Sequence, residues 1–166
     1  MDDARSRDAG VEIVPYGPEY REAFRRLNEI WISQYFTVEP VDRRVLDAPE
    51  TEILEPGGRI LVALLEGQPV GVCALLRMGD GGFELSKMAV AAEAQGRGIG
   101  QRLGQAAIQH ASAAGASRLY LESNTVLGPA IALYRKLGFR EVTGSASVYG
   151  RTNIRMELVL NGAPAV

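Results

Sequence analysis

Cys73 is the sole cysteine, so the chain can form no internal disulfide and contains no Cys-x-x-Cys metal or redox spacing. His110 is the sole histidine, which excludes a histidine-cluster metal site, and no metal is expected. Lysine is nearly missing: Lys87 and Lys136 aside, the 18 basic residues are all arginine. Against 20 acidic residues they leave a net charge of -2, so there is no excess positive charge for a nucleic acid or an anionic membrane surface. No apolar run approaches the roughly 20 residues of a membrane span. The first ten residues are polar and lack the apolar core of a secretory signal. Residues 1–10 read as a disordered leader, 161–166 as a loose tail, and the whole as a cytoplasmic protein with no nucleic-acid or membrane partner. What lies between, 11–160, reads as one domain of ordinary composition, 46% hydrophobic and 23% charged, long enough to bury a core.

Periodicity sets the element order. A short strand around Val11 and Ile13 ends at Pro15 and Gly17. A helix starts near Pro18, with proline suited to a first turn, and carries Phe24, Leu27, Trp31 and Tyr35 on one stripe. Phe24 and Leu27 read as core; Trp31 and Tyr35 read equally as core or as the lining of a substrate pocket. A second helix covers Glu39 to Asp47 and is broken by Pro49. Apolar runs Ile60 to Leu65 and Val70 to Leu76 flank a Glu-Gly-Gln-Pro turn, and Phe83 to Val90 follows another glycine turn, which makes an antiparallel meander. Cys73 reads as a small core residue of that meander. Along the third run, strict alternation puts Glu84, Ser86 and Met88 on one face and Phe83, Leu85 and Lys87 on the other.

The third run leads into Gln95-Gly96-Arg97-Gly98-Ile99-Gly100, from which a long helix departs. A strand, a glycine turn and a helix N-terminus together present unpaired backbone N–H groups to an anion. The spacing is neither of the two commonest phosphate loops. The dinucleotide fingerprint needs a third glycine where Gln101 or Leu103 stands, and there is no Gly-Lys-Ser/Thr. The helix has a face of small residues and stops at Gly115; His110 beside that face reads as structural or surface. Ser117 to Glu122 alternates as a strand parallel to Phe83–Val90. A helix from Gly128-Pro129 to Leu137, a strand from Phe139 and a last strand through Ile154, Met156, Leu158 and Leu160 complete the chain. Arg151, Asn153 and Arg155 alternate opposite the apolar face of that last strand. They read either as a solvated face or as a carboxylate-binding cluster, since arginine suits bidentate carboxylate recognition.

Gln-x-x-Gly-x-Gly at Gln95, Gly98 and Gly100 resembles the pyrophosphate loop of the GNAT superfamily, the acetyl-CoA-dependent N-acetyltransferases. Ala130-Ile131-Ala132-Leu133-Tyr134-Arg135-Lys136-Leu137-Gly138-Phe139 is similar to that family's A-I-x-L-Y-x-K-x-G-F segment. The element order resembles the family's from Val11 to Leu160. The resemblance implies a mixed α/β fold with a mostly antiparallel central sheet, one splayed parallel strand pair, and flanking helices. It implies acetyl-CoA as co-substrate, its pyrophosphate on the backbone of Gln95, Gly96, Arg97, Gly98, Ile99 and Gly100 and its pantetheine arm along the edge of Met88, Ala89 and Val90. Arg97 reads equally as a phosphate contact or a solvated loop arginine.

The same resemblance implies direct attack of an amine on the thioester, with Tyr134 as proton or hydrogen-bond donor to the leaving thiolate. Tyr134 also reads as plain helix packing. Glu84 sits where several family members carry a base, and a carboxylate there could take the proton an attacking amine must lose; the alternative is a solvent-facing strand-end glutamate. Family members often carry an asparagine three residues before the Ala-Ile pair, where this chain has Leu127. Asn124 replaces that cofactor contact, touches substrate, or caps a turn. The expected activity is N-acetylation of a primary amine of a small molecule, with a carboxylate on it if the arginine cluster binds one. The alternatives are a protein or peptide acceptor, and a non-catalytic acyl-CoA sensor. An exposed final strand would let two copies pair as a homodimer.

Overall fold

The computed structural model describes residues 10–143 and 147–160. The expected leader, apart from Gly10, and the expected tail at 161–166 lie outside the described residues. Seven strands form one sheet in the order β1-β2-β3-β4-β5-β7-β6. They are β1 (Val11–Pro15), β2 (Arg59–Leu65), β3 (Gln68–Arg77), β4 (Phe83–Val90), β5 (Arg118–Ser123), β6 (Arg140–Val142) and β7 (Ile154–Val159). Every neighbouring pair is antiparallel except β4 and β5. This is the mixed α/β sheet with one parallel pair that the element order called for.

Four helices cover the sheet: α1 (Arg21–Tyr35), α2 (Pro40–Asp47), α3 (Ile99–Ala113) and α4 (Gly128–Leu137). On one face Phe24 and Leu27 of α1 and Val45 and Leu46 of α2 pack on Ile60, Val62 and Val72. On the other, Ile99, Leu103, Ala107 and Ala111 of α3 pack on Leu61, Cys73, Leu85 and Leu119. Small residues bring α3 close to its neighbours. A Cβ on Gly71 of β3 would lie 3.0 Å from Ile99 and 3.1 Å from Leu103, and one on Gly104 would lie 2.5 Å from Leu137 of α4. Cys73 is fully buried, its thiol pushed up to about 12 by that burial, and it serves as core.

As expected, α2 stops just before Pro49: Ala48 at its C-cap leaves the helical region at φ -139°, ψ 59°, the bias proline puts on the residue before it. Pro49 then caps a separate π-helical turn over Glu50–Leu54, closed by Glu55 N–H donating to Glu50 C=O at 2.9 Å. The structure corrects two other expectations. First, the last strand is no edge. β7 lies between β5 and β6 and pairs with both, so the sheet's edges are β1 and β6 and the exposed-strand argument for pairing two copies falls.

Second, β4 does not alternate throughout. The register opposite β3 steps from Ala74↔Ser86 to Val72↔Ala89, two residues against three, and Lys87 sits at φ +52°. This is a β-bulge, and an extra residue flips the alternation beyond it. Met88 and Val90 therefore join Phe83 and Leu85 on the α3 face, whereas Lys87 turns to the α1–α2 face with Glu84.

That turn buries Lys87 beside a fully buried carboxylate. Its Nζ donates to Asp42 Oδ1 at 2.6 Å and to the Tyr149 hydroxyl at 3.0 Å. Asp42 also accepts both arms of Arg151 at 2.7 Å each, and the Glu39 N–H at 2.8 Å in a capping box that starts α2. Four donors fill the four acceptor positions of one carboxylate. Burial by itself would raise the Asp42 carboxyl, but the hydrogen bonds from Arg151, Lys87 and the Glu39 backbone outweigh it and hold the group at about 2. Its stabilisation is present above the ordinary carboxyl range and is lost as pH falls toward 2. Asp42→Asn leaves buried Lys87 and partly buried Arg151 short of a partner. Removing one member of a buried ion pair costs about 3–5 kcal/mol, so urea denaturation at pH 7 should show a loss of that size.

Candidate functional site

β4 and β5 stay paired at only two positions, Phe83↔Leu119 and Glu84↔Tyr120, and then part. Past Glu84, β4 keeps β3 on one side and, among the described residues, pairs with no strand on the other. The gap opens as a groove of about 580 Å³, walled by Met88, Ala89 and Val90 on one side and by Ala130, Leu133 and Tyr134 of α4 on the other.

At one end of the groove is the glycine loop. Gly98 is the N-cap of α3 at φ +76° and Gly96 lies at +80°. A Cβ at either would meet nothing within 4 Å, so it is the left-handed backbone and not crowding that calls for glycine there. Gly100 answers a different need: a Cβ would lie 3.2 Å from Leu133 of α4. No side chain caps α3, and its first turn holds no acidic residue. The first-turn N–H groups therefore have no intrahelical acceptor and face the groove, at the positive end of the helix dipole.

Gln95, Gly96, Gly98, Ile99 and Gly100 all line the groove, but exposed Arg97 does not, which is the position of a solvated loop arginine. Lys136 lines it instead, with Nζ 3.2 Å from Gln101 Oε1. The sequence reading passed Lys136 over, although it stands in the Leu-Tyr-Arg-Lys segment; its place beside the loop follows only from α4 packing against α3.

The groove's inner end meets a second, smaller cavity of about 80 Å³, and Trp31, Met88, Leu127 and Tyr134 line both spaces. Tyr134 thus sits at the junction, half-buried, its ring edge-on to Phe139 at 6.1 Å. Burial, with Cys73 nearby, pushes its phenol up to about 12, so the hydroxyl keeps its proton at neutral pH. Glu84 lines the small cavity from β4. Burial is the main cause that lifts its carboxyl to about 7, with the neighbouring Glu122 adding to it and Arg155 and Lys87 opposing. A carboxyl poised there exchanges a proton near neutrality, as a general base must.

The remaining expected residues are divided among different places. Trp31 lines both spaces, while Tyr35 is 56% exposed at the rim of the groove. Asn124 lines the small cavity, not the groove, and both ends of its amide are engaged: Nδ2 donates to Arg151 C=O at 2.7 Å and Oδ1 accepts from Val126 N–H at 2.9 Å. It caps the turn after β5.

Arg151, Asn153 and Arg155 are not brought together. Arg151 lies before β7, its guanidinium locked on Asp42 and on Glu39 at 3.0 Å. Asn153 ties down Thr125 through its N–H and its hydroxyl. Arg155 lies over the Tyr120 ring at 5.8 Å. The arginine cluster is therefore no carboxylate clamp, because alternation held only from Ile154 onward and the arginine fork is already filled.

In its place the structure assembles polar residues the sequence reading did not single out. Glu122 lines the small cavity and accepts a hydrogen bond from the Ser147 hydroxyl. Lys87 and Tyr149 line it too, and the cation–π distances from Lys87 and Arg151 to the Tyr149 ring are both 4.5 Å. These groups come from β4, β5 and the segment before β7, and no local spacing links them.

Comparison with known proteins agrees with this architecture. The Acetyltransferase (GNAT) family profile matches residues 24–139. An IAA acetyltransferase of Azospirillum brasilense is 39% identical over 99 residues, which are 59% of this chain and 64% of that protein. N-acetylaspartate synthetase of Danio rerio is 38% identical over 95 residues, 56% of this chain and 34% of that protein. The match thus spans less than two thirds of either relative. The structure of yncA from Salmonella typhimurium with its cofactor acetyl-CoA superposes with a TM-score of 0.75 at 19% identity, covering 90% or more of both chains (94% and 97%). With well over half of its length matched by the family profile, this chain belongs to the acetyltransferase (GNAT) family.

Proposed function

We propose that the protein transfers the acetyl group of acetyl-CoA directly to a primary amine of a small molecule. One observation carries this reading: Tyr134 stands where the glycine-loop groove meets the small cavity that holds Glu84. In the groove the first-turn N–H groups of α3, with Lys136 beside them, suit a pyrophosphate, and the unpaired edge of Met88 to Val90 suits an amide-bearing arm laid alongside as an added strand. A thioester on that arm would end at the junction. The like fold of yncA, whose structure contains its cofactor acetyl-CoA, supports acetyl-CoA as the donor.

The chemistry follows from where the protons go. Glu84 takes one from the acceptor ammonium, and the freed amine adds to the thioester carbonyl. Collapse expels the CoA thiolate toward Tyr134, and the nitrogen's second proton passes to that sulfur, leaving the neutral amide and CoA thiol. A phenol near 12 does not readily give up its proton to a thiolate whose thiol ionises near 8 or 9, so the hydroxyl serves as a hydrogen-bond donor to the sulfur as charge develops.

The small cavity, about 80 Å³, favours a compact acceptor over a peptide, and keeping both Tyr134 and Glu84 at one junction favours catalysis over a non-catalytic acyl-CoA sensor. A thiol-release assay with acetyl-CoA against amino acids, alkylamines, polyamines and short peptides, with product masses checked, tests the reading. An acetylated small amine supports it; acetylation of peptides alone, or of nothing, overturns it.

Tyr134→Phe keeps the ring and removes the donor, and kcat should fall about 10²-fold with the KM for acetyl-CoA little changed. In the unsubstituted enzyme kcat/KM should rise with pH through about 7 as Glu84 loses its proton, and Glu84→Gln should flatten that limb. Stability gives a second readout with a definite sign. Folded Glu84 holds its proton up to about 7, whereas the unfolded chain releases it near the ordinary glutamate value of 4.5, so folding weakens as pH rises through that window. Glu84→Gln should therefore gain Tm over the parent at pH 8 and not at pH 4.

A further inference from the structure

The polar wall of the small cavity formed by Lys87 and Tyr149 has donors to spare. The Lys87 ammonium has three N–H bonds; Asp42 takes one and the Tyr149 oxygen another, and the third has no acceptor among the described residues. The Lys87 side chain is 3% exposed, so that N–H is largely shielded from open solvent, and the cavity it lines is where an acceptor reaches it. The Tyr149 hydroxyl accepts from Lys87, and its own proton likewise finds no acceptor among the described residues. Asp42, already filled by four donors, can take neither.

Both residues line the cavity, and both are held in place. Lys87 is fixed by the bulge and by Asp42. Tyr149 is fixed by the cations at its ring and by its N–H to the Ser147 hydroxyl at 3.0 Å.

The charges around the cavity give it two ends. Lys87 and Arg151 are balanced by Asp42 and Glu39 and form a neutral unit that presents donors. Glu84 and Glu122 form an acceptor end. No ion pair joins Glu84 to Lys87 among the described residues, although Lys87 is near enough to oppose the rise of the Glu84 carboxyl. An ammonium suits the glutamates. A group that only accepts hydrogen bonds suits Lys87 and Tyr149, and a carboxylate is such a group.

We propose that Lys87 and Tyr149 form a carboxylate subsite, which makes the acceptor a short amino acid whose amine lies toward Glu84 and Glu122 and whose carboxylate lies on the Lys87 N–H and the Tyr149 hydroxyl. The inference rests on reading the small cavity as the acceptor site. It moves the carboxylate contact away from Arg151, Asn153 and Arg155, and makes Lys87 and Tyr149 determinants of specificity.

The test reads binding without turnover. Calorimetry on the CoA-saturated protein compares glycine, alanine, β-alanine and γ-aminobutyrate, each with the alkylamine that lacks its carboxylate: methylamine, ethylamine or propylamine. At least one amino acid should bind about tenfold or more tightly than its partner, the effect of a charge-assisted hydrogen bond. Tyr149→Phe, which keeps the ring between its cations, should lower that ratio about fivefold or more, and Lys87→Met should abolish it. Should Lys87→Met fail to fold, Tyr149→Phe decides alone. No preference for any amino acid, or a ratio that Tyr149→Phe leaves unchanged, overturns the subsite. Acetyl transfer to the same compounds is measured separately: binding preference without acetylated product leaves the subsite standing and overturns the transferase reading, and product without preference does the reverse.

Discussion

One extra residue in β4 is the constraint on which the site depends. A non-glycine residue at positive φ is strained by about 1–2 kcal/mol, and Lys87 adopts φ +52° in the middle of a strand. The ion pair with buried Asp42 compensates, since that contact is reachable only from the bulged conformation. The bulge reverses which side chains face α3, and it lies just past the last position at which β4 pairs with β5. The groove, the free edge of β4 and the polar wall of the small cavity all begin at this point.

The sheet opens there without falling apart because each half is held elsewhere. β4 keeps its ladder with β3, and β5 pairs with β7 along its whole length, from Arg118↔Val159 to Ser123↔Ile154. α3 spans the gap on one face, packing on β3 and on Leu119 and Leu121 of β5. On the other face the Asp42 hub ties α2 to the segment leading into β7 through Arg151, with Glu39 adding a hydrogen bond from the Gly150 N–H. Burying so many charges favours a defined geometry over raw stability, since a half-satisfied network costs more than an apolar core. Here Lys87 and Tyr149 are the members with donors left over, and they face the cavity.

The two ionisable groups proposed for chemistry show how environment divides roles. Tyr134 and Glu84 are both lifted mainly by burial, yet in opposite senses for function. A phenol lifted to about 12 stays a donor throughout the physiological range, while a carboxyl lifted to about 7 is brought into it. Glu122 contributes to the second shift across the strand gap, an arrangement that exists because β4 and β5 are parallel neighbours there.

Sequence by itself determined the elements and the glycine-loop half of the site, because both rest on local rules. Period-two and helical patterns placed Phe83–Val90 and Gly128–Leu137 at their observed bounds. Glycines at 96 and 98 marked backbone that only the left-handed region satisfies, and Tyr134 was legible from its segment. Tertiary structure alone decided the small-cavity half. A bulge leaves no spacing signature, so alternation placed Lys87 and Met88 on the wrong faces. Arg151 looked free until Asp42, 109 residues earlier, claimed its fork. The last strand looked like an edge until β6, which precedes it in the chain, paired outside it. Each of these outcomes depends on contacts between segments far apart in the chain, and no window of neighbouring residues carries that information.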